Sequence, residues 1–66
     1  MKIIVNGDAQ ELTPPVTVTT LLAQLGLAGR RLAVEVNREI VPRSAHDMHE
    51  LRDRDRVEIV MAVGGG

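Results

Sequence analysis

A chain of 66 residues without a single Phe, Tyr or Trp must close its hydrophobic core with aliphatic side chains alone. A domain this short buries only about 60% of the surface its unfolded chain exposes, close to the lower limit for a core without cross-links. Each fully buried Val, Leu or Ile contributes about 1.5–3 kcal/mol, so about a dozen have to be placed efficiently and little stability is in reserve. Cysteine is absent as well, which excludes disulfides, thiolate metal ligation and a thiol nucleophile together.

The aliphatic residues fall into short periodic runs. Lys2-Ile3-Ile4-Val5-Asn6 reads as a β-branched strand, and Asn6-Gly7-Asp8 is a strong hairpin signal. A returning strand is expected over Ala9 to Thr13, ended by Pro14-Pro15, because neither proline can donate to a ladder. Thr17 is a helix cap, and Val18, Leu21, Leu22 and Leu25 follow at i, i+3, i+4, i+7 as one apolar stripe, with Gly26 where a helix-ending glycine belongs. Leu32 to Val36 alternates as a strand, Asn37-Arg38-Glu39 as a turn, and Ile40-Val41 as a short strand stopped by Pro42. Ser44 to Leu51 fits no single pattern; one helical turn capped by Ser44 is one reading. Asp53-Arg54-Asp55 is a surface turn, and Arg56 to Val63 is a strand that runs straight into Gly64-Gly65-Gly66.

Two hairpin-like halves joined by one helix give an α+β chain. The helix crosses one face of a mixed sheet, and the first and last strands lie parallel at its centre. This is the ubiquitin-like β-grasp arrangement, expected as a domain over residues 1–63 with a flexible glycine tail over 64–66. Alternation turns Ile3, Val5, Val57 and Ile59 toward the helix and Ile4, Val60 and Ala62 toward the uncovered face. An uncovered apolar patch of these three is a candidate partner surface.

About one chain in 3,000 would end in three glycines by chance. A terminal carboxyl with an ordinary pKa of about 3.3–3.7 is ionised at neutral pH and is a poor electrophile. It can attack the α-phosphate of ATP, however, and the acyl-adenylate so formed loses AMP to a sulfur nucleophile. Such chemistry happens inside a partner enzyme, and glycines without Cβ atoms let the backbone enter a narrow channel. Ordering three residues costs at least about 3–6 kcal/mol, which contacts elsewhere on the domain have to offset.

Other chemistries lack support. Arg52, Arg54 and Arg56 alternate with Asp53 and Asp55, and no aromatic can stack on a base, so nucleic-acid binding is not expected. His46 and His49 read as a solvated polar turn rather than a metal site. Gly26-Leu27-Ala28-Gly29-Arg30 lacks the ending of a phosphate loop. No apolar run is long enough to cross a bilayer, and no signal-peptide pattern is seen, so a cytoplasmic protein is expected. No catalytic constellation is visible.

The chain resembles the ThiS family of sulfur carriers in bacterial thiazole (thiamin) biosynthesis. The resemblance rests on Ile3-Ile4-Val5-Asn6-Gly7, the Val18, Leu21, Leu22, Leu25, Gly26 pattern, Ala33-Val34-Glu35-Val36-Asn37 with Ile40-Val41-Pro42-Arg43, Val57-Glu58-Ile59-Val60 after Asp55, and the terminal Gly65-Gly66. Arg54 departs from it, standing where glycine is usual. The resemblance implies a non-enzymatic protein cosubstrate that holds no cofactor. Gly66 would be adenylated with ATP by a ThiF-like adenylyltransferase, with Gly65 and Gly64 giving access. A sulfurtransferase fed by a cysteine desulfurase would supply sulfur, and a ThiG-like thiazole synthase would receive it. A molybdopterin-type sulfur carrier, a protein-conjugating modifier and a passive β-grasp binding module are the alternatives.

Overall fold

The computed structural model describes residues 1–62. Strand β1 (Lys2–Val5) turns back into β2 (Asp8–Glu11), helix α1 (Val18–Gln24) follows, then β3 (Leu32–Val36), β4 (Glu39–Val41), a 3₁₀ turn (Arg43–Ala45) and β5 (Arg56–Met61). The five strands form one mixed sheet in the order β2-β1-β5-β3-β4, with β1 and β5 parallel and all other pairs antiparallel. This is the ubiquitin-like β-grasp topology.

Both hairpins turn through residues with positive φ. Asn6 (φ 48°) and Gly7 (φ 86°) join β1 to β2, and Asn37 (φ 52°) and Arg38 (φ 70°) join β3 to β4, the backbone that matches strand twist in a two-residue connection. Arg54, the one departure from the family resemblance noted above, sits at φ 72°. The left-handed turn is therefore kept without glycine, at a modest steric cost.

Thr17 caps α1 by accepting the Thr20 N–H on its hydroxyl, and Gly26 leaves the helix at φ 74°. Val18, Leu21 and Leu22 are buried on the sheet-facing side. They meet Ile3 and Val5 from β1, Val34 and Val36 from β3, Val41 from β4 and Val57 and Ile59 from β5; with Val16 and Leu51 these form a core of twelve buried aliphatic residues. All four strand positions expected to face the helix are in it.

Three local expectations shift. Strand β2 covers Asp8–Glu11 rather than Ala9 to Thr13, although Leu12 N–H still donates to the Met1 carbonyl. The helical turn before Leu51 is a 3₁₀ turn flanked by Pro42 and has no side-chain cap, so Ser44 does not cap it. Strand β5 ends at Met61; Val63, expected in the same strand, lies outside the described residues.

Candidate functional site

Strand β5 occupies the middle of the sheet and carries the chain toward its C-terminal end, so whatever holds β5 positions that end. On one side the antiparallel ladder with β3 runs from Val36↔Val57 to Leu32↔Met61, and Ala62 N–H donates to the Arg31 carbonyl one step beyond it. On the other side the parallel pairing with β1 is short, covering Ile4↔Arg56 and Val5↔Val57.

Two asparagines lengthen this support. Asn6 accepts the Ile59 N–H on Oδ1 at 2.7 Å and donates from Nδ2 to the Ile59 carbonyl at 3.2 Å. Its amide thus takes the place of one more residue of β1. At the start of β5, Asn37 accepts the Arg56 N–H on Oδ1 and donates from Nδ2 to Asp55. From the sequence alone both are turn residues. The available signal was an Asn at the end of a strand that has to pair in parallel with β5.

Replacing Asn6 with Ala removes both side-chain bonds, leaves a partly buried N–H and C=O unpaired, and puts a Cβ residue without a compensating amide at positive φ. The expected loss is about 2 kcal/mol, read as a fall of about 10 °C in the melting temperature. An unchanged melt would contradict the bridging role.

The sheet face opposite α1 is uncovered by any described element. Val60 is 58% exposed there and registers with Ala33. Ala62, also exposed, continues the same alternation. Ile4 shares the face but is partly buried and registers with Arg56, four positions before Val60. The polar residues Arg56 and Glu58 lie between, so the register does not bring Ile4 together with Val60 and Ala62. Alternation assigns faces but not the offset of two parallel strands joined through the whole chain. The apolar surface beside the exit consists instead of Ala33, Val60 and Ala62, with Arg31 and Arg43 on the same shallow groove. Gly64, Gly65 and Gly66 lie outside the described residues.

His46 corrects the reading of a solvated turn. It is 8% exposed, and its Nε2 donates to the Val41 carbonyl at 3.1 Å. The ring ties the 42–50 segment beneath α1, where Val18 and Thr19 N–H groups also donate to the His49 and His46 carbonyls. His49 is half-buried. Among the described residues, no group of three His, Cys, Asp or Glu side chains is placed to hold a metal ion, and no helix is long and apolar enough to cross a membrane.

Comparison with known proteins agrees with this topology. The crystal structure of the thiamine biosynthesis protein ThiS from Geobacter metallireducens superposes with a TM-score of 0.86 at 35% identity, over the whole of both chains. The sulfur carrier protein ThiS of Escherichia coli is 32% identical over the full length of both sequences. A thiazole synthase from Paramagnetospirillum magneticum is 42% identical across all 66 residues. The chain spans about a fifth of the length of the thiazole synthases it matches. The model of the ThiS family matches residues 3–66, through the final glycines. With the family model covering nearly every residue and a ThiS structure sharing the whole fold, this chain belongs to the ThiS family.

Proposed function

We propose that this chain is a sulfur carrier for thiazole formation in thiamin biosynthesis, and that it works through the carboxylate of Gly66. The observation that carries the reading is the family match, which spans residues 3–66 and so includes Gly66. It is supported by a fold in which the central strand delivers that end of the chain.

The chemistry divides between carrier and partner. One carboxylate oxygen of Gly66 attacks the α-phosphorus of ATP, and pyrophosphate leaves. The terminal sulfur of a persulfide then adds to the acyl carbon and AMP leaves; a thiol cleaves the S–S bond of the resulting acyl disulfide, forming a disulfide with the sulfur donor and leaving the thiocarboxylate on Gly66. The carrier supplies the reacting group and a surface to grip. The ThiF-like adenylyltransferase supplies the catalytic groups and the nucleotide site. A sulfurtransferase charged by a cysteine desulfurase supplies sulfur, and a thiazole synthase takes the thiocarboxylate. Relatives named thiazole synthase that contain a segment matching the whole chain favour that last partner. The carrier is then consumed and regenerated as a cosubstrate and needs no cofactor of its own.

ATP–pyrophosphate exchange tests the activation step. With the adenylyltransferase encoded in the same genome, exchange is expected to depend on the carrier; no carrier-dependent exchange would reject the reading. In the same assay, Val60→Asp places a charge in the exposed apolar strip beside the exit and is expected to reduce exchange about tenfold at limiting carrier. The side chain is mostly solvent-exposed, so melting is expected to stay near that of the unaltered chain. Unreduced exchange would remove Val60 from the docking surface.

A further inference from the structure

The chain has two asparagines; Asn6 precedes Gly7, and Asn37 precedes Arg38. An asparagine followed by glycine is open to spontaneous deamidation. The Gly7 nitrogen attacks Cγ of Asn6, the new N–C bond closes a succinimide ring, and Nδ2 leaves as ammonia with the proton released from the Gly7 amide. Water then opens the ring at either carbonyl, giving aspartate or isoaspartate. The net change is amide plus water to acid plus ammonia, and no oxidant, reductant or enzyme is needed. Glycine favours the closure because it has no Cβ to crowd the attacking nitrogen.

The fold presents this pair to water and also restrains it. Asn6 and Gly7 are exposed in the turn of the first hairpin, and a Cβ placed on Gly7 would meet nothing within 4 Å. The Asn6 amide, however, is tied to Ile59 through both of its polar atoms, at 2.7 Å and 3.2 Å, and the Asn6 N–H donates to the Val57 carbonyl. Ring closure turns Cγ onto the Gly7 nitrogen and expels Nδ2, so the amide has to swing off Ile59 first. A local opening of the turn therefore sets the rate. Asn37 lacks the permissive neighbour, because Arg38 brings a side chain against ring closure, and its own amide is held by the Arg56 N–H and by Asp55.

The product cannot rebuild the bridge. An aspartate carboxylate accepts but does not donate, so it leaves the Ile59 carbonyl unpaired and turns negative charge toward it. Isoaspartate routes the main chain through the former side chain, which adds a backbone atom to a tight turn closed by the Val5↔Asp8 pair. Among the described residues, the hydrogen bonds that join the first hairpin to β5 beyond Val57 are the two made by the Asn6 side chain.

We infer that Asn6 is a deamidation site, held in check by its bonds to Ile59, and that the modification releases β5 from the first hairpin beyond Val57. The inference stands apart from sulfur transfer and needs no partner enzyme.

The test ages the full-length chain at mildly alkaline pH, in buffer and in guanidinium chloride, with charge separation to follow the acid and fragmentation to place it. Aspartate and isoaspartate are expected at position 6 with Asn37 intact. Formation in the folded chain is expected to be about tenfold slower than in the unfolded chain, as the opening of two hydrogen bonds requires. The separated acidic fraction, and an Asn6→Asp variant made directly, are each expected to melt at least about 5 °C below the unaltered chain and to lose hydrogen-exchange protection at the Ile59 N–H. Equal rates in the two solvents would overturn the restraint by Ile59. In the unfolded chain, acid forming at Asn37 as fast as at Asn6, or none forming at Asn6, would overturn the site. An acidic fraction with the melting temperature and Ile59 protection of the unaltered chain would overturn the loss of the bridge.

Discussion

Adding a single alanine after Gly66 is expected to abolish activation while leaving the melting temperature unchanged. An extra residue moves the carboxylate by about 3.5 Å along an extended chain, about as far as the whole distance between reacting atoms in a near-attack geometry. Displacements of about 1 Å already cost on the order of a hundredfold, so adenylation should fall below detection. The core that sets stability lies within residues 3–59 and is untouched by the addition. The measurement is carrier-dependent pyrophosphate exchange beside a thermal melt followed by circular dichroism. Exchange at the normal rate would mean that the end of this chain is not the reacting group. Loss of exchange with a lowered melt would point instead to damage in the fold.

The second large effect is on stability. Leu21 is fully buried, on the face of α1 that meets the sheet. Truncating a buried leucine to alanine removes favourable transfer energy and leaves a cavity, together costing about 2.7–5 kcal/mol in well-packed cores. A 66-residue chain has a total stability of roughly 3–10 kcal/mol at typical values per residue. Leu21→Ala is therefore expected to remove much of it and to lower the melting temperature by more than about 10 °C. No aromatic residue is present to spread into the space, and the β-branched neighbours Val18, Val34 and Val57 have few rotamers with which to close it. A drop of less than about 5 °C would mean that the helix contributes less to the core than its burial indicates.

The parts of this fold that were legible in advance are those governed by short periods. Ile3, Val5, Val57 and Ile59 alternate, Val18, Leu21 and Leu22 recur at helical spacing, and Asn6-Gly7 marks the first hairpin. Each signal is local, and the elements formed near where the pattern placed them, with β2 shifted to Asp8–Glu11 and β5 ending at Met61. The second hairpin was legible as a turn, although Arg38 rather than glycine takes a positive φ there.

What was not legible depends on contacts between distant segments. Residues 42–51 have no period of their own. Their form comes from the β-bridge between Thr17 and Glu50, from the bonds to the start of α1, and from the His46 ring on Val41. The sequence makes His46 look exposed because nothing local announces a carbonyl waiting for its Nε2. The site divides in the same way. The strand leading to the glycine run was plain from the sequence, and so was the uncovered face. The separation of Ile4 from Val60 was not, since it is set by the register of β1 against β5. Nor were the Asn6 bridge and the arrangement of Arg31 and Arg43, which need the crossover of the first and last strands before they have meaning.

The most direct test of the account is the intact mass of the full-length chain after incubation with its adenylyltransferase, ATP, cysteine, desulfurase and sulfurtransferase. A rise equal to the exchange of one oxygen for sulfur is expected, located at Gly66 by fragmentation and absent when ATP is withheld. An unchanged mass under conditions in which the partner enzymes are active, or sulfur found anywhere other than the final carboxyl group, would contradict it.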